Sequence, residues 1–464
     1  MIRIPQAAGK TYGVVGLGAS GRATVASLRA SGAQVLAWDD KESAREALQR
    51  DHAGVAIAPV ESWDYATLTS LVMSPGIFLT HPAVNAAQAH GVEVIGDVEL
   101  LYRAQPLARY IAITGTNGKS TTTTLIAHVL GACGRQVAVG GNLGTPALAL
   151  APLGVDGVYV LELSSYQLDL LSSTRFSTAV LLNISPDHLD HHGSMENYIA
   201  AKMHIFDRMG AGDSAIIGVD DAVSAAICTQ RRGQQPPRVI AISAAQQLSS
   251  GVDASAGVVW NRLGATPMAG DITQVKSLQG EHNGQNAAAA YAACFMSGCY
   301  HEEIITAMQS YPGLAHRMQW LGAVNGVQFV NDSKATNADA AEKALKTYDG
   351  IYWIAGGVAK EGGIAPLTPY FPKIRHAYLI GEASADFAKT LEGAVAYTQC
   401  GTLEAAFDAA QKAAQADVRG GAAVVLAPAC ASFDQFANFE VRGAAFVALF
   451  EQLKTAGGTH AATA

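Results

Sequence analysis

The segment that most constrains the fold is a glycine-rich loop at residues 114–120, with the sequence TGTNGKS. The apolar run Tyr110–Ile113 before it predicts a buried strand, and the residues after it predict a helix. A loop between a strand and a helix can turn backbone N–H groups toward phosphate oxygens at the positive end of the helix. In such loops the lysine, here Lys119, contacts the β- and γ-phosphates, and the hydroxyl of Ser120 can bind Mg²⁺. The loop therefore predicts a nucleotide-binding α/β domain.

The loop is shorter than the usual phosphate-binding pattern, because Ile113 stands where that pattern has its first glycine. An ordinary glycine turn with a surface lysine is the alternative interpretation. The strand–loop–helix context favours the phosphate-binding interpretation over this alternative.

A second glycine-rich turn, Gly16–Gly21, follows the predicted strand Tyr12–Val15. A further strand, Gln34–Ala37, leads to Asp39 at about the distance expected for a ribose contact. Taken alone, this is a dinucleotide fingerprint. The same geometry can hold another nucleotide, including a UDP-sugar, or it can be a structural turn.

The rest of the chain repeats short apolar runs between helical patterns, which indicates parallel α/β units. Further predicted strands are Val158–Leu161, Ala179–Leu182, Val327–Val330, Ile351–Ala355, Ala377–Ile380 and Ala423–Leu426. The segments 231–238 and 244–257 are polar or rich in small residues, and we interpret them as surface excursions. A length of 464 residues predicts about three domains.

Composition narrows the class of protein. A net charge of -8 argues against a general nucleic-acid binder. The six cysteines form no CxxC pair, which disfavours a disulfide framework or a zinc site and favours reduced thiols in a cytoplasm. The N-terminus lacks an apolar signal segment, and no apolar run reaches the ~18–20 residues of a membrane span, so we expect a cytoplasmic protein without membrane insertion.

Polar side chains after the central strands are the candidates for chemistry. Glu162 ends a strand and could bind Mg²⁺ or pair with a nearby cation. The loop 183–193 gathers carboxylates with three histidines, among them His188, yet no second ligand pair supports zinc. Lys202 lies on a predicted helix, Met195–Met209, where composition alone predicts a solvated surface lysine. In the last third, Cys430 is better explained as a buried structural thiol than as a nucleophile.

Together these motifs resemble the Mur ligases, and within them the branch that uses D-glutamate. The resemblance runs from Gly16 to Gly443. Its most specific pieces are Thr114–Thr122, Glu162–Leu168, Asn183–Asp190, His316-Arg317, Asn331–Asn337 and Pro428–Glu440.

The resemblance implies an α/β protein of three domains. Residues 1–104 resemble a Rossmann-like domain that holds a UDP-linked precursor, 105–314 a central P-loop-type ATPase domain, and 315–464 a Rossmann-like amino-acid domain. The implied reaction joins D-glutamate to UDP-N-acetylmuramoyl-L-alanine through an acyl phosphate, with release of ADP and phosphate, during peptidoglycan precursor synthesis. ATP and two Mg²⁺ sites are implied, without NAD or zinc, in a monomer.

The resemblance also implies roles for individual residues. The implied ATP contacts are Gly115, Thr116, Asn117, Gly118, Lys119, Ser120, Thr121, Asn286, Arg317 and Asp332. The implied metal surroundings and catalytic groups are Ser120, Glu162, His188 and a carbamylated Lys202, with Lys119 on the phosphates. The implied precursor contacts are Ser20, Asp39, Ser74, Gly76, Asn142 and Ser164, and the implied D-glutamate contacts are Thr336, Lys360, Ser432 and Phe439.

One departure and two alternatives accompany the resemblance. Val358-Ala359 precedes Lys360, where many family members have Asp-Gly. The first alternative is a ligase of the same superfamily that uses another amino acid or polyglutamylates folate, and the Gly16–Gly21 turn with Asp39 argues against folate. An NAD-dependent oxidoreductase would explain that turn but would leave Lys119 without a role.

Overall fold

The computed structural model describes residues 1–234, 236–278, 280–360 and 362–458. The chain divides into two compact units, Met1–Tyr311 and Pro312–Ala464. The first unit contains two large parallel-rich sheets and the second unit contains a third, so the predicted α/β class is confirmed. The domain boundaries 104/105 and 314/315 stay predictions, and the last six residues of the predicted third domain lie outside the described residues.

The first sheet is wholly parallel and has the order β3-β2-β1-β4-β5. Its strands are β1 Thr11–Val15, β2 Gln34–Trp38, β3 Ala56–Ile57, β4 Leu68–Met73 and β5 Glu93–Ile95. Its helices are α1 Ala19–Ala30, α2 Glu42–Asp51, α3 Pro82–Ala89 and α4 Asp97–Ala104, with 3-10 turns at Pro5–Ala7, Val60–Ser62 and Tyr65–Thr67. This is the predicted Rossmann-like opening, with the Gly16–Gly21 turn between β1 and α1.

The second sheet has nine strands in the order β14-β13-β12-β11-β10-β9-β6-β8-β7. The strands are β6 Arg109–Thr114, β7 Val137–Gly141, β8 Val158–Glu162, β9 Thr178–Leu181, β10 Ser214–Gly218, β11 Arg238–Ser243, β12 Val252–Ser255, β13 Val258–Asn261 and β14 Met268–Asp271. The helices are α5 Lys119–Ala132, α6 Ser165–Leu168, α7 Leu189–His192, α8 Met195–Met203, α9 Ala222–Arg232, α10 Glu281–Met296 and α11 His301–Gln309. Further 3-10 turns lie at Ala147–Ala149, His204–Phe206 and Lys276–Leu278.

The order of this sheet determines where the functional groups lie. Strand β6 pairs in parallel with both β8 and β9, in a register that sets Ile113 opposite Glu162 and Thr114 opposite Leu181. The carboxyl ends of parallel strands lie at one edge of a sheet, which is where ligands bind in open α/β sheets. The 114–120 loop, Glu162 and the segment after β9 therefore share one edge.

The third sheet forms the core of the second unit, in the order β15-β16-β21-β17-β19-β20. Its strands are β15 Gln319–Val324, β16 Val327–Asn331, β17 Ile351–Gly356, β19 Ile374–Ile380, β20 Tyr397–Gly401 and β21 Ala423–Leu426. A small separate sheet consists of the two strands β18 Val358–Ala359 and β22 Cys430–Ala431. The helices are α12 Ala338–Thr347, α13 Ser384–Leu391, α14 Leu403–Ala416 and α15 Phe439–Gly458, with a 3-10 stretch at Ala365–Lys373.

Two predictions differ from the structure. The segment 244–257 is not wholly a surface excursion, because β12 lies within it and pairs with β11 and β13. Its polar residue Asp253 fits the strand since Arg262 pairs with it at 2.7 Å. The helix predicted as Met195–Met209 is shorter, because α8 ends at Met203 and tightens into a 3-10 turn.

Burial follows the apolar pattern of the sequence. Helix α10 packs against α5 and β12 through an alanine run, 287–290, whose members are all 0% exposed. Alanine lets helix and sheet approach closely while keeping high helix propensity. None of the described helices is both long enough and apolar enough to cross a bilayer.

Candidate active site

The phosphate-type loop lies between β6 and α5, as predicted. Gly118 has φ +85° and forms the N-cap of α5, a left-handed conformation that glycine adopts readily. A Cβ at this position would collide with the Oδ1 atom of Asn286 on α10. The Nζ atom of Lys119 donates to the carbonyl oxygens of Gly115 and Thr116, each at 2.9 Å, so the cation lies over the loop.

Asn183 fixes this loop through hydrogen bonds to its backbone. Its carbonyl accepts the N–H of Thr116 at 2.9 Å, and its Oδ1 accepts the N–H of Asn117 at 2.8 Å. Its Nδ2 donates to Gln285 Oε1 at 2.8 Å, and Gln285 in turn donates to Asp220 at 2.9 Å. The motif 183–190 pointed to this region, but the role of Asn183 as a clamp was missed, because the clamp depends on β9 lying beside β6.

Asn286 lies beneath the loop rather than in open solvent. It is 3% exposed, accepts the Thr122 hydroxyl at 3.1 Å and donates to Asn283 at 3.0 Å. These bonds attach α10 to the first turns of α5. The predicted ATP contacts Gly115 to Thr121 and Asn286 are thus brought together in one place, with Ser120 itself buried.

Lys202 is buried at this edge, with 2% of its surface exposed. Its Nζ donates to the carbonyl of Gly115 at 3.0 Å and lies 4.5 Å from the ring centroid of Tyr198. Burial, and secondly the charge of Lys119, lower the pKa of Lys202 to about 7. The composition-based expectation of a solvated lysine is therefore wrong, because the helix α8 packs this face against the loop.

Glu162 ends β8 and is 4% exposed. Its Oε1 accepts the Asn142 side-chain amide at 3.0 Å, and its backbone carbonyl accepts the Asn142 N–H at 2.8 Å. Across the residues that the structure describes, its Oε2 has no hydrogen-bond partner and is fully buried. A buried carboxylate oxygen without a partner is costly, which agrees with the predicted role of Glu162 as a metal ligand. The predicted contact Asn142 is joined directly to the predicted metal ligand.

Ser120 and Glu162 fit Mg²⁺, which prefers hard oxygen ligands and binds proteins through one or two carboxylates plus substrate phosphates. The hydroxyl and the unpartnered carboxylate both lie at the carboxyl edge of the sheet. Within the described ranges, no group of three or more His, Cys, Asp or Glu side chains is arranged to hold a metal ion. A magnesium site here would thus depend on few protein ligands.

His188 belongs to an aromatic cluster beside the loop. It has φ +53°, and its Nε2 lies 3.4 Å from Asp187 Oδ2. Its ring meets Tyr166 at 5.3 Å and Tyr198 at 6.4 Å between centroids. Tyr198 also bonds the Thr116 hydroxyl at 3.2 Å, so this tyrosine links His188 with the loop and with Lys202. Tyr198 was missed, although it precedes Lys202 by one helical turn.

Four of the six predicted precursor contacts lie around the first glycine turn or on the loop after β4. Asp39 is tied to that turn, because its carboxylate accepts the N–H groups of Leu17 at 2.6 Å and Lys41 at 2.8 Å. Ser74 donates to the carbonyl of Gly16 at 2.7 Å. Ser20 lies in the first turn of α1, and Gly76 is exposed on the loop after β4. Ser74 thus connects the end of β4 to the turn.

Ser164 is placed elsewhere, at the start of α6. Its hydroxyl accepts the N–H of Gln167 at 3.2 Å, while the Gln167 side chain accepts the N–H of Ser164 at 3.1 Å. This reciprocal pair is a capping box, which fixes the short helix directly after Glu162. The side chain of the predicted precursor contact therefore also has a structural role.

In the second unit, Asp332 follows β16 and is 4% exposed. It accepts the N–H of Met318 at 3.1 Å, and burial raises its pKa to about 6, with Arg317 acting in the opposite direction. His316 and Met318 have φ +62° and +43°, so the chain is strained on both sides of Arg317. Strain of this kind clusters at functional sites, which agrees with the predicted role of Arg317 and Asp332.

Three segments that carry the predicted D-glutamate contacts also meet in the second unit. The antiparallel ladder of β18 and β22 pairs Val358 with Ala431 and Ala359 with Cys430, which places Lys360 just beyond one end of the ladder and Ser432 just beyond the other. Phe439 is the first residue of α15. Its carbonyl oxygen accepts a hydrogen bond from the hydroxyl of Ser333 at 2.8 Å, and Ser333 precedes the predicted contact Thr336 by three residues. Lys360 is exposed and Ser432 is buried. The structure also shows that Cys430 is buried and that burial raises its pKa to about 12, as a structural thiol requires.

Comparison with known families covers most of the chain. The model described as "Mur ligase middle domain" matches residues 113–294, that described as "Mur ligase, glutamate ligase domain" matches 316–430, and that described as "Mur ligase MurD-like, N-terminal domain" matches 10–96.

Individual relatives agree. A Paramagnetospirillum magneticum protein named UDP-N-acetylmuramoylalanine–D-glutamate ligase is 50% identical over 463 residues, covering 98% of this chain and 100% of the relative. A Caulobacter vibrioides protein of the same name is 49% identical, with 98% of each chain covered. The crystal structure of a UDP-N-acetylmuramate-alanine ligase from Thermotoga maritima has a TM-score of 0.58 at 16% identity, covering 96% of this chain and 99% of its own, and shows likeness of fold. The chain belongs to the Mur ligase family.

Proposed function

We propose that this chain is an ATP-dependent ligase that forms an amide bond between UDP-N-acetylmuramoyl-L-alanine and the amine of D-glutamate, releasing ADP and phosphate. The observation that carries the proposal is the 50% identity over 463 residues with a relative of that name. The product is a precursor of peptidoglycan, and we expect the reaction to take place in the cytoplasm, where ATP is available.

The chemistry requires activation of a carboxylate, because a carboxylate is a poor electrophile at neutral pH. The terminal carboxylate of the precursor attacks the γ-phosphorus of ATP, which gives an acyl phosphate and ADP. The amine of D-glutamate then attacks the acyl carbon, and the tetrahedral intermediate expels phosphate. The protein contributes positioning and electrostatic stabilisation of the transferred phosphoryl group.

The 114–120 loop supports the first step. Its N–H groups and the N-terminus of α5 provide a positive potential for phosphates. Lys119 already lies against the loop carbonyls and is assigned to the β- and γ-phosphates. Thr121, in the first turn of α5, is assigned to the same nucleotide. Asn286 of the first unit, and Arg317 and Asp332 of the second, are assigned to adenosine and phosphate by the family resemblance.

Ser120 and Glu162 are assigned to hold Mg²⁺, and a bound Mg²⁺ would neutralise charge that develops on the phosphoryl oxygens. Glu162 supports the assignment with its buried, unpartnered Oε2, while Asn142 fixes its other oxygen. His188 and Lys202 are assigned to the surroundings of a second Mg²⁺ by the family resemblance.

Lys202 is proposed to carry a carbamate. The neutral amine adds to CO₂, a C–N bond forms, and one proton leaves, so that a cation becomes an anion. Two features favour this: a pKa of about 7 leaves much of the amine neutral at physiological pH, and Lys119 repels the charged form. An anionic Lys202 would be attracted to Lys119 and able to face a divalent cation.

The remaining assignments concern the two substrates. Ser20, Asp39, Ser74, Gly76, Asn142 and Ser164 are proposed precursor contacts, and Thr336, Lys360, Ser432 and Phe439 are proposed D-glutamate contacts. Support comes from Asn142, which is bonded to Glu162, and from the meeting of the segments that carry the amino-acid contacts.

The test is phosphate release with ATP, Mg²⁺ and UDP-N-acetylmuramoyl-L-alanine in the presence of a panel of D- and L-amino acids. We expect release that depends on D-glutamate and is far slower with L-glutamate or D-alanine. Release that does not respond to D-glutamate, or responds equally to every amino acid, would disprove the proposal.

A further inference from the structure

Arg442 on α15 is one of the largest buried side chains of the second unit, with 1% of its surface exposed. Its Nε donates to the Ser333 hydroxyl at 3.0 Å, and its Nη2 donates to the carbonyls of Ser333 at 2.9 Å and Cys430 at 3.0 Å. The guanidinium therefore ties together the loop after β16, the strand β22 and the helix α15. These are the segments that carry Thr336, Ser432 and Phe439.

The third nitrogen of the guanidinium, Nη1, is buried and makes no hydrogen bond in the described part of the chain. An ideal Cβ at Gly357 would lie 3.3 Å from this nitrogen and would also collide with the carbonyl of Ala431. Gly357, with φ +128°, thus keeps the backbone clear where Nη1 points.

The charge of Arg442 also lacks a close counterion. No carboxylate lies within 4.0 Å of it among the described residues. Asp434 acts on it only through space, and the Oδ2 atom of Asp434 accepts the N–H of Glu382 at 3.1 Å. Burial lowers the pKa of Arg442 to about 10, which still leaves the group positively charged at pH 7.

A buried cation without a counterion costs stability, and proteins retain such groups where an anion completes the arrangement. Gly357, which lies beside this nitrogen, is also next to Cys430 and Ala431, the two residues that precede Ser432. The unpartnered nitrogen therefore lies beside the strand β22, which leads directly to the proposed D-glutamate contact Ser432. D-Glutamate carries two carboxylates, so it is an anion that matches this cation.

We propose that Arg442 is a positioning residue for the amino-acid substrate. Its buried positive charge favours binding of a dicarboxylic amino acid. The proposal rests on the proposed function. Arg442 acts through the Ser432 and Ser333 segments that it holds, and its charge lowers the energy of a carboxylate bound above them.

The experiment compares Arg442→Lys, Arg442→Gln and Arg442→Met in the full chain. Lysine keeps the charge, glutamine keeps a hydrogen-bond donor without the charge, and methionine keeps neither. The matched control is Arg375→Met, which removes a half-buried arginine of the same unit that pairs instead with Asp417 at 2.8 Å. For each protein, KM is measured separately for D-glutamate, ATP and UDP-N-acetylmuramoyl-L-alanine, together with the melting temperature.

We expect Arg442→Gln and Arg442→Met to raise KM for D-glutamate about tenfold or more, with smaller changes for the other two substrates. Arg442→Lys should lie closer to the wild type than Arg442→Gln does, and Arg375→Met should leave all three KM values near those of the wild type. Equal effects of Lys and Gln, equal effects on the three substrates, or unfolding of all three variants while Arg375→Met folds would each assign Arg442 to structure alone and overturn the proposal. A wild type without D-glutamate-dependent release would instead disprove the proposed function.

Discussion

The carbonyl oxygen of Gly115 accepts hydrogen bonds from both Lys202 and Lys119, at 3.0 and 2.9 Å. Two ammonium groups at one carbonyl repel each other, and the buried one yields its proton first. Burial is the main cause of the lowered pKa of Lys202, and this repulsion adds to it. Both favour the proposed conversion of that lysine into an anion.

Lys202 should react with CO₂. Carbamate formation needs the neutral amine, whose fraction rises as the pH increases through about 7, so the carbamate should grow between pH 6 and pH 8. Carbon-13 NMR with labelled bicarbonate should show a carbamate carbon in the wild type. The signal should be absent in Lys202→Arg, whose guanidinium stays protonated. A wild-type spectrum without this carbon, or one unchanged by Lys202→Arg, would rule out the modification at this site.

Replacing Lys202 by methionine should remove activity but raise stability. Below pH 7 the folded and unfolded states both hold the proton, so the wild type bears the full cost of a buried charge. Between pH 7 and about 10 only the unfolded state keeps the proton, so wild-type stability rises with pH. The gain in melting temperature of Lys202→Met should thus be larger at pH 6 than at pH 8.5, measured in bicarbonate-free buffer. A gain that is equal at both values would contradict the burial argument.

Glu162→Gln should fold yet lose activity. The substitution keeps the shape and removes the charge whose Oε2 has no partner, so the melting temperature should change little or rise. Phosphate release should fall by about 10²-fold or more, because a metal ligand at the transferred phosphoryl is lost. When Mg²⁺ is titrated into the assay, phosphate release by Glu162→Gln should increase less than phosphate release by the wild type. Activity within a few-fold of the wild type would exclude Glu162 as a metal ligand.

Gly118→Ala should weaken ATP binding, whereas Gly131→Ala should not. Each substitution adds one methyl group at or within α5. At position 118 the backbone φ is left-handed and the new Cβ would collide with Asn286, whereas at position 131 the new Cβ would meet no atom within 4 Å. We expect KM for ATP to rise for Gly118→Ala, and Gly131→Ala to be neutral or to stabilise by up to ~1 kcal/mol. Similar KM values for ATP in the two variants would show that the loop tolerates a side chain.

Much of the fold could be predicted from local pattern. The strands that lead to Gly16 and Gly115 are short apolar runs followed by glycines, and such signals lie within a few residues of each other. The segment around Asp253 was predicted wrongly, because its place in the sheet depends on pairing with β13 and on Arg262, which directly follows that strand. Pairing of that kind is not visible in a single segment.

The residues of the candidate site also differ in how far the sequence alone could predict them. The loop with Lys119 carries its own signature, whereas the burial of Lys202 depends on how α8 packs. Asn183 and Tyr198 became visible only when the sheet order brought β9 beside β6 and the helix beside the loop. Arg442 is likewise one arginine in a predicted helix until its burial and its hydrogen bonds are seen.

Whether the reaction passes through an acyl phosphate can be read from the oxygen atoms of the precursor. UDP-N-acetylmuramoyl-L-alanine labelled with oxygen-18 in its terminal carboxylate is converted with ATP, Mg²⁺ and D-glutamate, and the released phosphate is analysed by mass spectrometry. An acyl phosphate transfers one carboxylate oxygen to the phosphate, so each phosphate should carry one labelled oxygen, in amounts equal to the amide product. Phosphate without label, in a reaction that still forms the D-glutamyl product, would contradict the account.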